Sequence, residues 1–330
     1  MMKNWLVVLF VILFVSCRSG KETNHITVVG YNVENLFDTV DDPHKNDNEF
    51  LPDSKKEWTP ERYQKKLNDI ARVLSDINPE DMPEIIGLAE IENQKVLEDL
   101  VKTEALAPGN YKIAHRESPD KRGIDVALLY RPDEFKLYGY EAIPVDPGFA
   151  TRDILHVWGR FKREKFHFFV NHWPSRIGGL AKSEPARIVA AESLKKAVDP
   201  VLAEDPEAHI VIMGDMNDEP FNKSLRSVLG AASPESDSTL VNLMMPLSEA
   251  GKGTYNYRGN WNMLDNLVVS SNLLDQKGFR VTPPTGFIFH ESWMEYTGKK
   301  GEISPNRTYG GPNYYGGVSD HFPVYFELQR

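Results

Sequence analysis

Residues 209–217 read His-Ile-Val-Ile-Met-Gly-Asp-Met-Asn. The apolar run reads as a strand buried on both faces. Gly214 breaks it, so Asp215 and Asn217 arrive where the backbone turns. The same plan, an apolar run ending in polar groups that packing does not need, recurs along the chain. A run over 26–30 leads into Tyr31-Asn32-Val33-Glu34-Asn35, and one over 84–91 carries Glu90 at its end. A run over 166–172 closes on Asn171-His172, Asp265 lies within 263–269, and Asp320-His321 precedes 322–328. Further strands are expected over 125–131 and 156–162.

Helical patterns alternate with these runs. Thr59 followed by Pro60 predicts a helix start, and Tyr63, Leu67, Ile70, Leu74 and Ile77 then share one face. A second helix is expected over 93–106. A third is expected from Ser183, with Pro185 in its first turn, ending or kinking near Asp199-Pro200. Residues 296–318 show no periodicity and read as a long surface loop. Alternating strands and helices predict a layered α/β protein, and no repeat or composition break divides 26–330, which is expected to form one domain.

The 330 residues include 38 Lys or Arg and 48 Asp or Glu, for a net charge of −10. Bulk basicity is therefore excluded as a means of holding nucleic acid, although a local basic rim beside a metal site is not. A single cysteine excludes internal disulfides and Cys-rich zinc sites. That cysteine, Cys17, follows Lys3, an eleven-residue apolar run over 5–15 and Ser16. The run is too short to span a bilayer, which takes about 20 residues. It predicts an export signal over 1–16 of the lipoprotein type, with Cys17 lipidated, 17–25 a tether, and the protein anchored at the bacterial cell envelope. An uncleaved N-terminal anchor, or cleavage elsewhere, is the competing reading.

Carboxylates, carboxamides and imidazoles at several strand ends are what a hard divalent cation and a general base require for attack on phosphorus. The segments YNVENLF, LAEIEN, VNHWPS, MGDMNDEP, LDNLVVS and SDHFPV, in this order, resemble the motif series of the endonuclease/exonuclease/phosphatase superfamily. The resemblance covers roughly 26–328 and implies a four-layer sandwich, two mixed β-sheets packed face to face with helices outside. It implies metal ligation by Glu90, with Glu34 and Asp320 as further oxygen donors for Mg2+ or Mn2+. It implies that Asp215 orients or deprotonates water beside Asn217, and that Asn32 positions this group or the phosphate. By the same resemblance His321, partnered by Asp265, faces the scissile phosphate, and His172 serves the leaving oxygen, its acidic partner expected at Asp125.

Trp173-Pro174-Ser175-Arg176-Ile177-Gly178-Gly179, with Lys182 and Arg187 following, supplies the basic groups a phosphate-tracking rim needs. Loop aromatics Tyr255, Tyr257, Trp261, Trp293, Tyr309, Tyr314 and Tyr315 would either stack bases or cover the sandwich edges. The leading expectation is a monomeric metal-dependent phosphodiesterase acting on DNA, RNA or nucleotides. A phosphomonoesterase or phospholipase C-type hydrolase of sugar or lipid phosphates is the alternative, and a catalytically inactive binding protein comes third.

Overall fold

The computed structural model describes residues 24–299 and 301–330. The leader, Cys17 and the tether up to residue 23 lie outside the described residues. Two mixed sheets form the centre. The first runs, edge to edge, Arg280–Val281, Val324–Gln329, His25–Leu36, Ile85–Ile91, Asp125–Tyr130 and Lys112–His115, with Phe287–Ile288 also pairing on Val324–Gln329. Its central pair is parallel and the rest antiparallel. The second runs Phe135–Ile143, Ile154–Phe161, Glu164–His172, His209–Asp215, Asp265–Ser270, Leu240–Asn242 and Ala231–Ala232. Here Glu164–His172 and His209–Asp215 lie parallel.

The inner faces meet over Val28, Leu128, Phe168, Met213 and Phe326, all fully buried. Contact between the sheets is close at Gly87, where a Cβ would stand 2.4 Å from the Met213 sulfur. Helix α1 (Pro60–Ile77) and helix α2 (Gln94–Val101) cover the outer face of the first sheet, and helix α3 (Leu180–Glu204) covers the second. This is the four-layer sandwich expected.

Local signals decide where the helices begin. Thr59 caps α1 by accepting the Arg62 amide, and Leu67, Ile70 and Leu74 bury its inner face. Asn93 caps α2 in the same way, but the helix stops at Val101 rather than 106. Helix α3 starts at Leu180, before Ser183, and continues through Pro200 to Glu204. Among the strands of four or more residues, two escape a reading by periodicity. Phe135–Ile143 is a half-exposed edge whose register shifts between Leu137 and Gly139, which spoils its alternation, and Lys112–His115 spans only four residues. Residues 296–318 are not a plain loop: they form most of two small hairpins, Glu295–Thr297 with Ile303–Pro305 and Tyr309–Gly310 with Asn313–Tyr314. Strands of two or three residues are too short to show a period.

Candidate active site

Strand register assembles one side of the site. His172, Asp215 and Asp265 are direct neighbours across three adjacent strands of the second sheet. Gly214 makes the turn beside them possible, since its φ is +125° and a Cβ there would meet the Asn171 carbonyl at 2.0 Å. The other side comes from the first sheet and its loops. Asn32 reaches across to donate to Asp215 Oδ2 at 3.0 Å, and Ser319 ties the His321 loop to the first strand by donating to the Asn32 carbonyl at 2.7 Å.

Asp215 lies at the middle. Its Oδ1 accepts the Asn217 amide at 2.8 Å, and its Oδ2 lies 3.7 Å from His172 Nε2 and 3.9 Å from His321 Nε2. Burial pushes its carboxyl up to about 7, against the pull of His321. The two imidazoles differ in charge. His321 Nδ1 lies 2.7 Å from Asp265 Oδ2, and although burial opposes its charge, Asp265 and Asp215 hold its proton affinity well above the ordinary histidine value. His172 is driven well below that value by burial, then by Arg152, Arg122 and His321, so it is neutral.

Beside Asp215 stand Glu34, Glu90 and Asp320. Glu90 Oε2 accepts the Asn35 amide at 2.8 Å, and Glu34 Oε2 accepts the Thr308 amide at 2.7 Å. Glu34, Asn35, Glu90 and Asn217 all have left-handed backbone, with φ of +51°, +54°, +66° and +49°. Such strain costs on the order of 1–3 kcal/mol per residue and gathers where side-chain placement matters. Burial, followed by repulsion from Asp320, raises Glu34 to about 7. A crowd of hard oxygen donors that repel one another suits a divalent cation of the Mg2+ or Mn2+ kind. Asp215, Asp265 and His321 also converge, with ligand atoms within 4.8 Å of one another. That set includes an imidazole, and Asp265 Oδ2 already bonds His321 and Thr254, whereas Glu34, Glu90 and Asp320 offer carboxylate oxygens alone, so they could better hold a hard cation.

The structure corrects three expectations. Arg187 is 0% exposed, with its guanidinium Nε 2.7 Å from buried Asp218, so it braces α3 and is no rim residue. Arg176 is engaged by the Asn217 carbonyl at 2.7 Å and Asn262 Oδ1 at 2.7 Å, and it fixes the Asp215 turn rather than gripping phosphate. Of the three basic groups only Lys182 stands exposed. Asp125 does not meet His172; it faces His115, at 3.5 Å. Most loop aromatics are also committed internally: Tyr255 lies on His321, Trp261 on Phe322, Tyr314 under Arg62 and Trp293 under Arg72.

Two cations beside the site were not among the expected residues. Lys66 is buried in α1, donates to Thr308 and Val318, and is lowered to about 8 by burial against the attraction of Glu34 and Asp320. Its place on the apolar face, between Tyr63 and Ile70, was a readable signal. Buried Arg152 donates to the Trp173 carbonyl at 2.7 Å and pairs with Asp120 at 3.3 Å.

A model of the endonuclease/exonuclease/phosphatase family matches residues 27–330. The chain belongs to that family. It is therefore a phosphoric ester hydrolase, and metal-dependent hydrolysis of phosphoesters is its general chemistry. Among solved structures, this family member resembles D. rerio TDP2 humanized by 14 mutations (16% identity, TM-score 0.58, covering 93% of this chain and 100% of that one). It also resembles the Bacteroides thetaiotaomicron mannosyl-6-phosphatase (20%, 0.57, 92% and 100%) and the catalytic domain of human Nocturnin with bound sulfate (16%, 0.55, 93% and 94%). At these identities the likeness is one of fold. No curated protein matches the chain.

Proposed function

We propose that this hydrolase is an Mg2+- or Mn2+-dependent phosphodiesterase acting on nucleotides or short DNA or RNA at the cell envelope, by in-line attack of water on phosphorus. The carrying observation is the placement of two buried imidazoles on either side of Asp215, of which His321 alone is backed by a buried carboxylate, Asp265, in hydrogen-bond contact. Charged His321 neutralises a non-bridging phosphoryl oxygen. Asp215, with Asn32 and Asn217 fixing its two oxygens, orients the water and takes its proton. Neutral His172 hydrogen-bonds the leaving oxygen, a task that a diester with a poor leaving group demands. A cation held by Glu90, Glu34 and Asp320, when bound, polarises the phosphoryl group. Support for a nucleic-acid substrate comes from D. rerio TDP2, which is known complexed with a single-strand DNA product. Interior Arg187 and engaged Arg176 favour short substrates over long duplexes.

A second reading, hydrolysis of a sugar phosphate monoester, has its own observation. A cavity of about 730 Å³ opens from Glu34, where Asn35, Asn48, Asp53 and Ser54 offer partners for hydroxyls beside Lys55 and Lys56. The mannosyl-6-phosphatase likeness points the same way. Protein starting at residue 18, assayed with Mg2+ or Mn2+ on oligonucleotides, a bis-aryl phosphodiester and mannose 6-phosphate, decides between them. Diester turnover is expected, with Glu90→Gln raising the metal concentration required. Turnover of the monoester alone would select the second reading, and full activity in chelator would refute both. Envelope anchoring has a separate check: Cys17→Ser should release the protein from the membrane fraction.

A further inference from the structure

The antiparallel register of Lys112–His115 with Asp125–Tyr130 sets His115 opposite Ala127. Two-residue periodicity then brings His115, Glu117 and Asp125 to one face of the first sheet, with Glu117 continuing the line toward Asp125. One ring nitrogen and one oxygen from each carboxylate lie within 4.8 Å of one another. His115 Nε2 and Asp125 Oδ2 face each other at 3.5 Å, both are buried, and neither has a hydrogen-bond partner among the described residues. Asp125 is 0% exposed, and its other oxygen accepts the Ser118 amide at 2.9 Å.

Buried polar atoms are almost always satisfied, and an exception asks for a missing partner. A proton shared by this pair would draw nitrogen and oxygen to about 2.7–3.2 Å. A tetrahedral ion about 2.0–2.1 Å from each would hold them about 3.4 Å apart. We propose that His115, Asp125 and Glu117 form a second cation site, taking a borderline transition ion of the Zn2+ type and separate from the all-carboxylate cluster at Glu90. Imidazole in the donor set is what selects such an ion over Mg2+. Glu117 is exposed and lies 3.8 Å from the Lys45 ammonium, which the Ser118 and Asp120 carbonyls also hold, so it is the weakest of the three ligands. The ion fastens both roots of the 116–124 loop, whose Asp120 pairs with Arg152 and so with the Trp173 corner beside His172.

Co2+ alone, which absorbs strongly in a tetrahedral site, is the probe. The chelator-stripped full chain carrying Glu90→Gln should develop a visible band that saturates at one equivalent and is displaced by Zn2+. Adding His115→Gln or Asp125→Asn should abolish the band, and Glu117→Gln should move its midpoint upward by about 10–100-fold, the scale of a lost supporting contact. No band in the parent, or a band that survives His115→Gln, overturns the proposal. If the two buried variants do not fold, Glu117→Gln decides, because an unmoved midpoint there also overturns it. Phosphoester turnover is not part of the readout, so failure here and failure of the hydrolase reading are distinguishable.

Discussion

His156 and His167 stack in the second sheet, Nε2 to Nδ1 at 3.0 Å, while His172 and His321 stand on either side of Asp215 at 3.7 and 3.9 Å. All four rings are buried. Burial is the main force that drives an imidazole neutral: His167 is lowered to about 4, by desolvation and then by the neighbouring His156 ring, and His172 falls as well. A carboxylate in contact is not enough to reverse this. His156 has Glu141 at 3.1 Å and is still lowered, because the Glu141 side chain is 60% exposed and water screens it. Asp265 is 0% exposed, and His321 beside it keeps its proton. What sets His321 apart from the other three rings here is a dry carboxylate in direct hydrogen-bond contact, Asp265, with a second, Asp215, close by.

The severest break of this arrangement removes the anion between the two site rings. Asp215→Asn should lower turnover of a bis-aryl phosphodiester by about 10²–10⁴-fold while thermal unfolding stays two-state. A loss smaller than tenfold would withdraw the base role. The same pairing rule operates at Arg187 and Asp218, away from any reaction. There Arg187→Ala should cost about 3 kcal/mol in urea unfolding, because a buried carboxylate loses its closest cation and keeps only the Ser224 hydroxyl and the more distant Arg176. A change in KM without that loss would return Arg187 to the substrate side.

Asp265→Asn tests the comparison directly by making His321 resemble His156. Its ring should be neutral at pH 7 in an NMR titration, and turnover should fall about 10²–10³-fold, as for a lost preorganised donor. A ring still charged in that variant would show that Asp215 alone holds the proton. The smallest effect is on acid stability. His167 is neutral when folded, whereas the unfolded chain takes up a proton below about pH 6.5. Its contribution is therefore whole above pH 6.5 and drains away as the pH falls toward about 4. In His167→Asn, the decline of Tm over that window should be shallower, and an unchanged slope would remove the pair from the acid response.

Much of this was legible because strand ends announce themselves. Ile-Val-Ile-Met before Gly-Asp-Met-Asn placed Asp215, and Thr59-Pro60 placed the start of α1. Arg187 was misread because one helix face of mixed small residues does not tell whether an arginine points to water or to an aspartate thirty-odd positions on. Asp125 was misread for a related reason: its neighbour His115 comes from a four-residue strand with no visible period. Lys66 had a signal in its position on the apolar face, but its carboxylate partners come from three other segments of the chain. Pairwise burial of charge is a property of the assembled layers, and single-strand patterns do not carry it.

The bond from Asn32 to Asp215 joins residues 183 positions apart, and the one from Asp265 to His321 joins a strand end of the second sheet to the segment before the last strand of the first. Contacts of such long range pay their loop-closure entropy late and form only as the two sheets close on each other. The catalytic centre thus exists only once the two sheets have closed on each other. A chain on the ribosome holds no working centre until residue 321 has emerged, and a nick that lets the sheets part extinguishes the chemistry before it dissolves either sheet.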